Sequence, residues 1–201
     1  MLGKLLGAAA ALLVLPQTAI AADIDSAFTT FDADKCRHEK GTADEDYGAW
    51  TCPGYGGLKV LLSAGDQRMQ VTFGAKAGED TLAASQTFPG FNDVYKGTVE
   101  WRIESVGGKP KPFAAILRWN VMTEADQANA TGSVSPTGRV LVVTRLGPGS
   151  VCHVGYVDAR ANKDPNLLAR RIADDTARAF RCGVDKAVVV GAVTPGLAMP
   201  D

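Results

Sequence analysis

Alternation of apolar and polar side chains with a period of two runs through the middle of the chain and predicts strands. Met69, Val71 and Phe73 alternate with Arg68, Gln70 and Thr72 over residues 68–75, so one face is buried and the other wet. Residues 58–64 form the preceding strand, joined to it at Gly65-Asp66, a hairpin signal. Val99, Trp101 and Ile103 alternate with Thr98, Glu100, Arg102 and Glu104, and residues 113–122 are the expected partner across the connection at 107–112. Symmetry about Lys109 would set Glu100 opposite Arg118 and Trp101 opposite Leu117. Residues 139–146 and 151–159 make a third hairpin over Gly147-Pro148-Gly149-Ser150. The unbroken run Val140-Leu141-Val142-Val143 suits a strand covered on both faces.

Near the C-terminus the period changes to that of a helix. Leu168, Ile172, Thr176 and Phe180, widened by Leu167 and Ala173, form an apolar stripe. Asp164 is placed to cap it, Pro165 to occupy its first position, and Gly183 to end it just past Cys182. Asp174 and Arg178 read as an exposed pair four residues apart. Cys152, Val154 and Tyr156 are assigned to one strand face beneath this helix, and the apolar run 187–193 adds a last strand. The expected architecture is α+β: a mostly antiparallel sheet of about seven strands with one long C-terminal helix packed on one face.

Other stretches lack a period. Residues 23–50 carry Asp23, Asp25, Asp32, Asp34, Asp44, Glu45 and Asp46 and read as an irregular, solvated acidic surface. The turn-rich string Cys52-Pro53-Gly54-Tyr55-Gly56-Gly57 follows, and residues 123–137 read as a loop. Residues 1–21 have the form of a cleavable export signal: basic at 1–4, apolar at 5–15, and closed by Ala19-Ile20-Ala21. That leaves 22–201 as a single domain. The apolar run is too short to span a bilayer, so no stable membrane insertion is expected after cleavage. A periplasmic or secreted address follows.

In that address the even set Cys36, Cys52, Cys152 and Cys182 is expected to be oxidised. Local pairing, Cys36–Cys52 and Cys152–Cys182, lets each bridge bracket one compact unit, although the count alone leaves connectivity open. Cys36-x-His38 and Cys152-His153 have the wrong spacing for a structural zinc site, so no metal is expected. With 21 basic and 22 acidic residues the chain lacks the one-signed footprint of a nucleic-acid binder.

Catalytic motifs are missing. There is no G-x-S-x-G elbow, phosphate loop, dinucleotide fingerprint or C-x-x-C pair, and no cofactor is implied. His153, beside Gly155 and with Ser150 and Thr144 nearby, is the candidate around which a small hydrolase would be built. Against it stands an ordinary hydrogen-bonded strand histidine. Glu100 and Glu104 lie about 13 Å apart on one strand face, too far for a glycosidase pair. With Arg102 between them they read as a solvated charged face. His38 reads as solvated. Aromatics are the remaining candidates: Tyr47, Trp50 and Tyr55 around Cys52, and Phe88, Phe91 and Tyr95 further on. Such rings stack on glycans or anchor a partner protein when they do not fold back over the core.

The strings Val142-Val143-Thr144-Arg145-Leu146-Gly147-Pro148-Gly149, Cys152-His153-Val154-Gly155-Tyr156-Val157-Asp158-Ala159-Arg160 and Phe180-Arg181-Cys182-Gly183 resemble small exported bacterial proteins of unassigned function. So do Cys52-Pro53-Gly54-Tyr55-Gly56-Gly57 and Gly97-Thr98-Val99-Glu100-Trp101-Arg102. The resemblance implies an envelope location and no activity. The expected function is a non-catalytic binding or inhibitor-type module facing an envelope protein or a glycan, with Tyr47, Trp50 and Tyr55 as the binding candidates. The alternatives are a small hydrolase using His153 with Ser150, or a structural envelope protein.

Overall fold

A computed structural model describes residues 23–41, 47–76, 81–129 and 135–200. The signal-like segment, the acidic trio at 44–46 and part of the expected loop at 123–137 lie outside them. In chain order the strands are β1 (Ile24–Asp32), β2 (Arg37–Lys40), β3 (Tyr47–Pro53), β4 (Lys59–Gly65), β5 (Arg68–Gly74), β6 (Asn92–Asp93), β7 (Lys96–Val106), β8 (Lys109–Val121), β9 (Gly138–Arg145), β10 (Cys152–Asp158) and β11 (Val188–Val189). The helices are α1 (Glu124–Ala128) and α2 (Pro165–Thr176).

The fold is mostly β, and the expected α+β architecture is overturned. There are two sheets: seven strands in the order β1-β7-β8-β9-β10-β11, with β6 also pairing β8, and four in the order β2-β3-β4-β5. Two of the misread segments explain the difference. Residues 23–50, expected to be irregular, supply β1, β2 and most of β3. β1 and β2 are edge strands and β3 lies between β2 and β4, and their largely polar sequences carry no regular alternation. The expected long helix stops at Thr176 after 12 residues, so Cys182 lies beyond it. There Arg178 Nη2 donates to the Asp174 carbonyl at 2.7 Å, and the chain tightens so that the Ala179 N–H donates to the Thr176 carbonyl. Within the expected loop, Thr123 and Asp126 make a reciprocal capping box that starts α1.

The main core lies between the two sheets, where Val60, Leu62, Val71 and Phe73 meet Val99, Trp101, Leu117, Trp119 and Val142. A second cluster on the other face of the large sheet joins Ile116, Val143, Val154 and Val157 to Ala169, Ile172 and Ala173 of α2. Strand β9 is thus covered on both faces, as its continuous apolar run requires.

Register corrects two further expectations. Glu100 faces Ile116 and Trp101 faces Ala115, not Arg118 and Leu117. The turn is the two-residue Gly107-Gly108, both at positive φ, so Val106 pairs with Lys109, and a register shift between Arg102 and Ile103 then leaves Glu100 and Trp101 two residues from the expected pairing. An even slip keeps every side chain on its face. In β10 a bulge between His153 and Gly155 inserts Val154, so Tyr156 turns away from Cys152 and Val154 and joins the core between the sheets.

The charged stripe of β7 is not solvated. Glu100 and Arg102 are buried, and Arg170, Asp174 and Arg178 meet Glu100, Arg102 and Glu104 rung by rung at 2.6, 2.7 and 3.8 Å. The Asp174–Arg178 pair expected within the helix gives way to these contacts across to the sheet. Both disulfides are local, Cys36–Cys52 and Cys152–Cys182, and no described cysteine is free.

Candidate functional site

The Cys36–Cys52 bridge sits where β2 leaves its partner β3, with Cys52 fully buried. Two residues inward from each cysteine, His38 pairs with Trp50 across the strands. Their rings stack at 4.6 Å, only 5° from parallel. Tyr95, just before β7, abuts the indole edge-on at 5.5 Å. Trp50 lies back over Gly48, where a Cβ would come within 2.7 Å of the indole. Glycine there makes room for the ring.

His38, Tyr47, Trp50 and Tyr95 line one concavity of about 370 Å³ with Gln67, Arg68 and Asn92. Tyr47 and Tyr95 are exposed, at 52% and 41%. The Asn92 amide is already spent: its oxygen accepts from the Met69 N–H, and its nitrogen donates to Thr87 Oγ1 and the Gly90 carbonyl. Gln67 and Arg68 remain as the polar rim, with Arg68 held to Asp66 at 2.9 Å. Asp66 and Gln67 form the turn between β4 and β5 with φ of 51° and 57°, left-handed positions that usually select glycine or asparagine. Tyr47 and Trp50 also border a smaller hollow of about 230 Å³. It is lined by Ala49, Thr51, Leu61, Ser63, Gln70 and Thr72, which alternate with the core-facing positions and so lie on the outer face of the small sheet.

The other candidates are placed elsewhere. Tyr55 follows β3 in a turn and packs, half-buried, against Trp101 at 6.5 Å. Phe88 is a core residue between Trp119 and Tyr156, while Phe91 is exposed at 39%. Ser150 is exposed in the turn before β10; its carbonyl accepts from Arg145.

His153 is 1% exposed and lines none of the described concavities. Its Nδ1 shares a hydrogen bond of 3.1 Å with the Tyr156 hydroxyl, its ring meets Trp119 edge-on, and its Nε2 has no partner. Burial pushes its pKa down to about 3 and that of Tyr156 upward, so both groups stay neutral. Thr144, its cross-strand neighbour, is buried too, and no hydrogen bond joins His153 to Ser150. A general base must reach solvent or substrate, and this imidazole reaches neither.

Sequence reasoning missed His38 and separated Tyr95 from Trp50. A signal for the first was present: a Cys36–Cys52 pair across antiparallel strands puts 38 opposite 50. Nothing local joins Tyr95 to Trp50, because a contact between the sheets brings them together. No family model matches this chain, and neither a curated protein nor a solved structure does.

Proposed function

We propose that this chain is a non-catalytic, carbohydrate-binding module of the bacterial envelope, working in the periplasm or outside the cell. The groove of His38, Tyr47, Trp50 and Tyr95 is the binding site. The observation that carries the reading is the convergence of four aromatic rings, three of them exposed, on one concavity whose rim is polar. Sugar rings present flat C–H faces that stack on aromatics, and hydroxyls that need planar donors and acceptors such as Gln67 and Arg68. Two disulfides are consistent with an oxidising compartment, and among the described residues no helix is long and apolar enough to cross a membrane. The hydrolase alternative has lost its support, since its histidine is sealed in the core.

Intrinsic fluorescence tests this directly. Trp101 and Trp119 are buried, so a ligand at the groove changes the emission of Trp50. Titration with oligomers of N-acetylglucosamine and of glucose is expected to give a saturable change that Tyr47→Ala abolishes and Tyr55→Ala leaves intact. No change with either oligomer, or equal loss in the two variants, would reject the assignment.

A further inference from the structure

A further concavity lies where β9 turns into β10. Arg145 ends β9 and folds its guanidinium into the turn, donating to the carbonyls of Leu146, Pro148 and Ser150 at 3.3, 3.0 and 2.6 Å. Three carbonyls hold the group rigid, but no described carboxylate pairs with it, and its Nε is buried without a partner. Arg178, just past α2, is fixed as firmly: its guanidinium lies 4.3 Å over the Phe113 ring and donates to the Asp174 carbonyl. Lys111 on β8 is exposed and makes no ion pair among the described residues.

These three cations line one cavity of about 220 Å³ with Glu104, Phe113, Leu146, Gly147 and Pro148. Glu104 is the only carboxylate there, and it reaches Arg178 at no better than 3.8 Å. Three positive charges against one negative leave an excess of two. The Cys152–Cys182 bridge ties the segment carrying Arg178 to the strand that follows the Arg145 turn. The two guanidinium groups are therefore held in place before any ligand arrives, which removes the ordering cost of binding. The cavity has room for one tetrahedral oxyanion.

We infer that this cavity is a phosphate site, taking the dianionic group of inorganic phosphate or of a phosphomonoester. A dianion matches the excess charge, and two fixed guanidinium groups and the Lys111 ammonium match it in sign. A phosphodiester, with one negative charge, is a poorer fit.

The test follows the side-chain Nε–H signals of Arg145 and Arg178 by NMR while inorganic phosphate is added at constant ionic strength, with chloride as the balancing anion. Saturable shifts are expected with phosphate. Lys111→Gln, on an exposed hairpin position, should weaken binding about tenfold, the effect of losing one charge-assisted contact. Arg118→Gln removes a cation from another part of the same sheet, one that makes no ion pair among the described residues, and should change nothing. If chloride alone produces the same shifts, or if Arg118→Gln costs as much as Lys111→Gln, the response is general screening and the site is refuted.

Discussion

The Arg102 guanidinium donates two parallel hydrogen bonds to the Asp174 carboxylate, 2.8 Å from Nε and 2.7 Å from Nη2, and so joins β7 to α2. This is the middle rung of the ladder formed by Glu100–Arg170, Arg102–Asp174 and Glu104–Arg178. Alternate residues on a strand advance about 6.7 Å and every fourth helical residue about 6.0 Å, so three rungs stay in step before the mismatch accumulates. Ser26 on β1 completes it, accepting from Arg102 and donating to Glu100 at 2.6 Å.

Asp174→Ala should therefore cost about 2–3 kcal/mol in urea unfolding. It strands a guanidinium that is only 10% exposed; Asp174 itself is a quarter exposed, which keeps the loss below that of a fully buried pair. Replacing both partners, Arg102→Met with Asp174→Leu, should recover most of that loss, because no buried charge is left alone.

His153 makes stability depend on pH. Its folded pKa is lowered to about 3 from 6.5 by burial, so the unfolded chain binds the extra proton first. The contribution is complete above pH 6.5 and falls as pH drops through the window from 6.5 to 3, by roughly 3–6 kcal/mol in all. Asp126 adds a second loss further down. Burial would raise its pKa, but donors from Thr123 and Thr137 outweigh that and hold it at about 2, against 3.8 unperturbed. Denaturation followed from pH 7 to 4 should show a steep decline in the native chain and a nearly flat profile in His153→Leu. Equal slopes would mean that the folded chain takes up the proton as readily as the unfolded one, so that burial does not hold the imidazole neutral.

Where apolar residues alternate with polar ones or run unbroken the sequence was readable, as in β4, β5, β7, β8 and the β9–β10 pair. Both disulfides were readable for the same reason, since each closes a unit of local structure. The other half of the small sheet was not, because β2 and β3 owe their pairing to partners rather than to their own pattern. The charged stripe of β7 misled in a different way. Glu100, Arg102 and Glu104 have the composition of a wet face, and only a helix bearing the complementary sequence of charges at the right pitch makes burial tolerable. That helix was recognised, yet its charges were matched within the helix instead of across to the sheet. The aromatic groove was half legible: Tyr47 and Trp50 were singled out, while Tyr55 turned inward to Trp101.

The Asp66-Gln67 turn offers a trade between stability and binding. Gln67 holds φ at 57°, which costs a residue with a side chain about 1–2 kcal/mol. Gln67→Gly should relieve much of this and raise the melting temperature by a few degrees, since 1 kcal/mol is worth about 2–4 °C in a chain of this size. The same change strips an amide from the rim of the groove and should weaken binding of the sugar oligomers. A variant that is more stable and binds equally well would show that Gln67 has no part in recognition.

The two disulfides should separate cleanly in their effects. In the chain-entropy model, closing a 16-residue span contributes about 3 kcal/mol and a 30-residue span about 4 kcal/mol. Cys36→Ser with Cys52→Ser frees β2, an edge strand whose only sheet partner is β3, so the cores persist while the stack of His38 on Trp50 loosens. Trp50 emission should shift to the red, amide exchange should rise in β2, and the sugar-dependent fluorescence change should be lost. Cys152→Ser with Cys182→Ser lowers stability more, because it unties the chain beyond α2 from β10, but it leaves the groove intact. Fluorescence titration of both double variants, alongside hydrogen exchange, checks the contrast. If removal of the larger loop abolishes the response and removal of the smaller one spares it, the aromatic groove is not where the ligand binds.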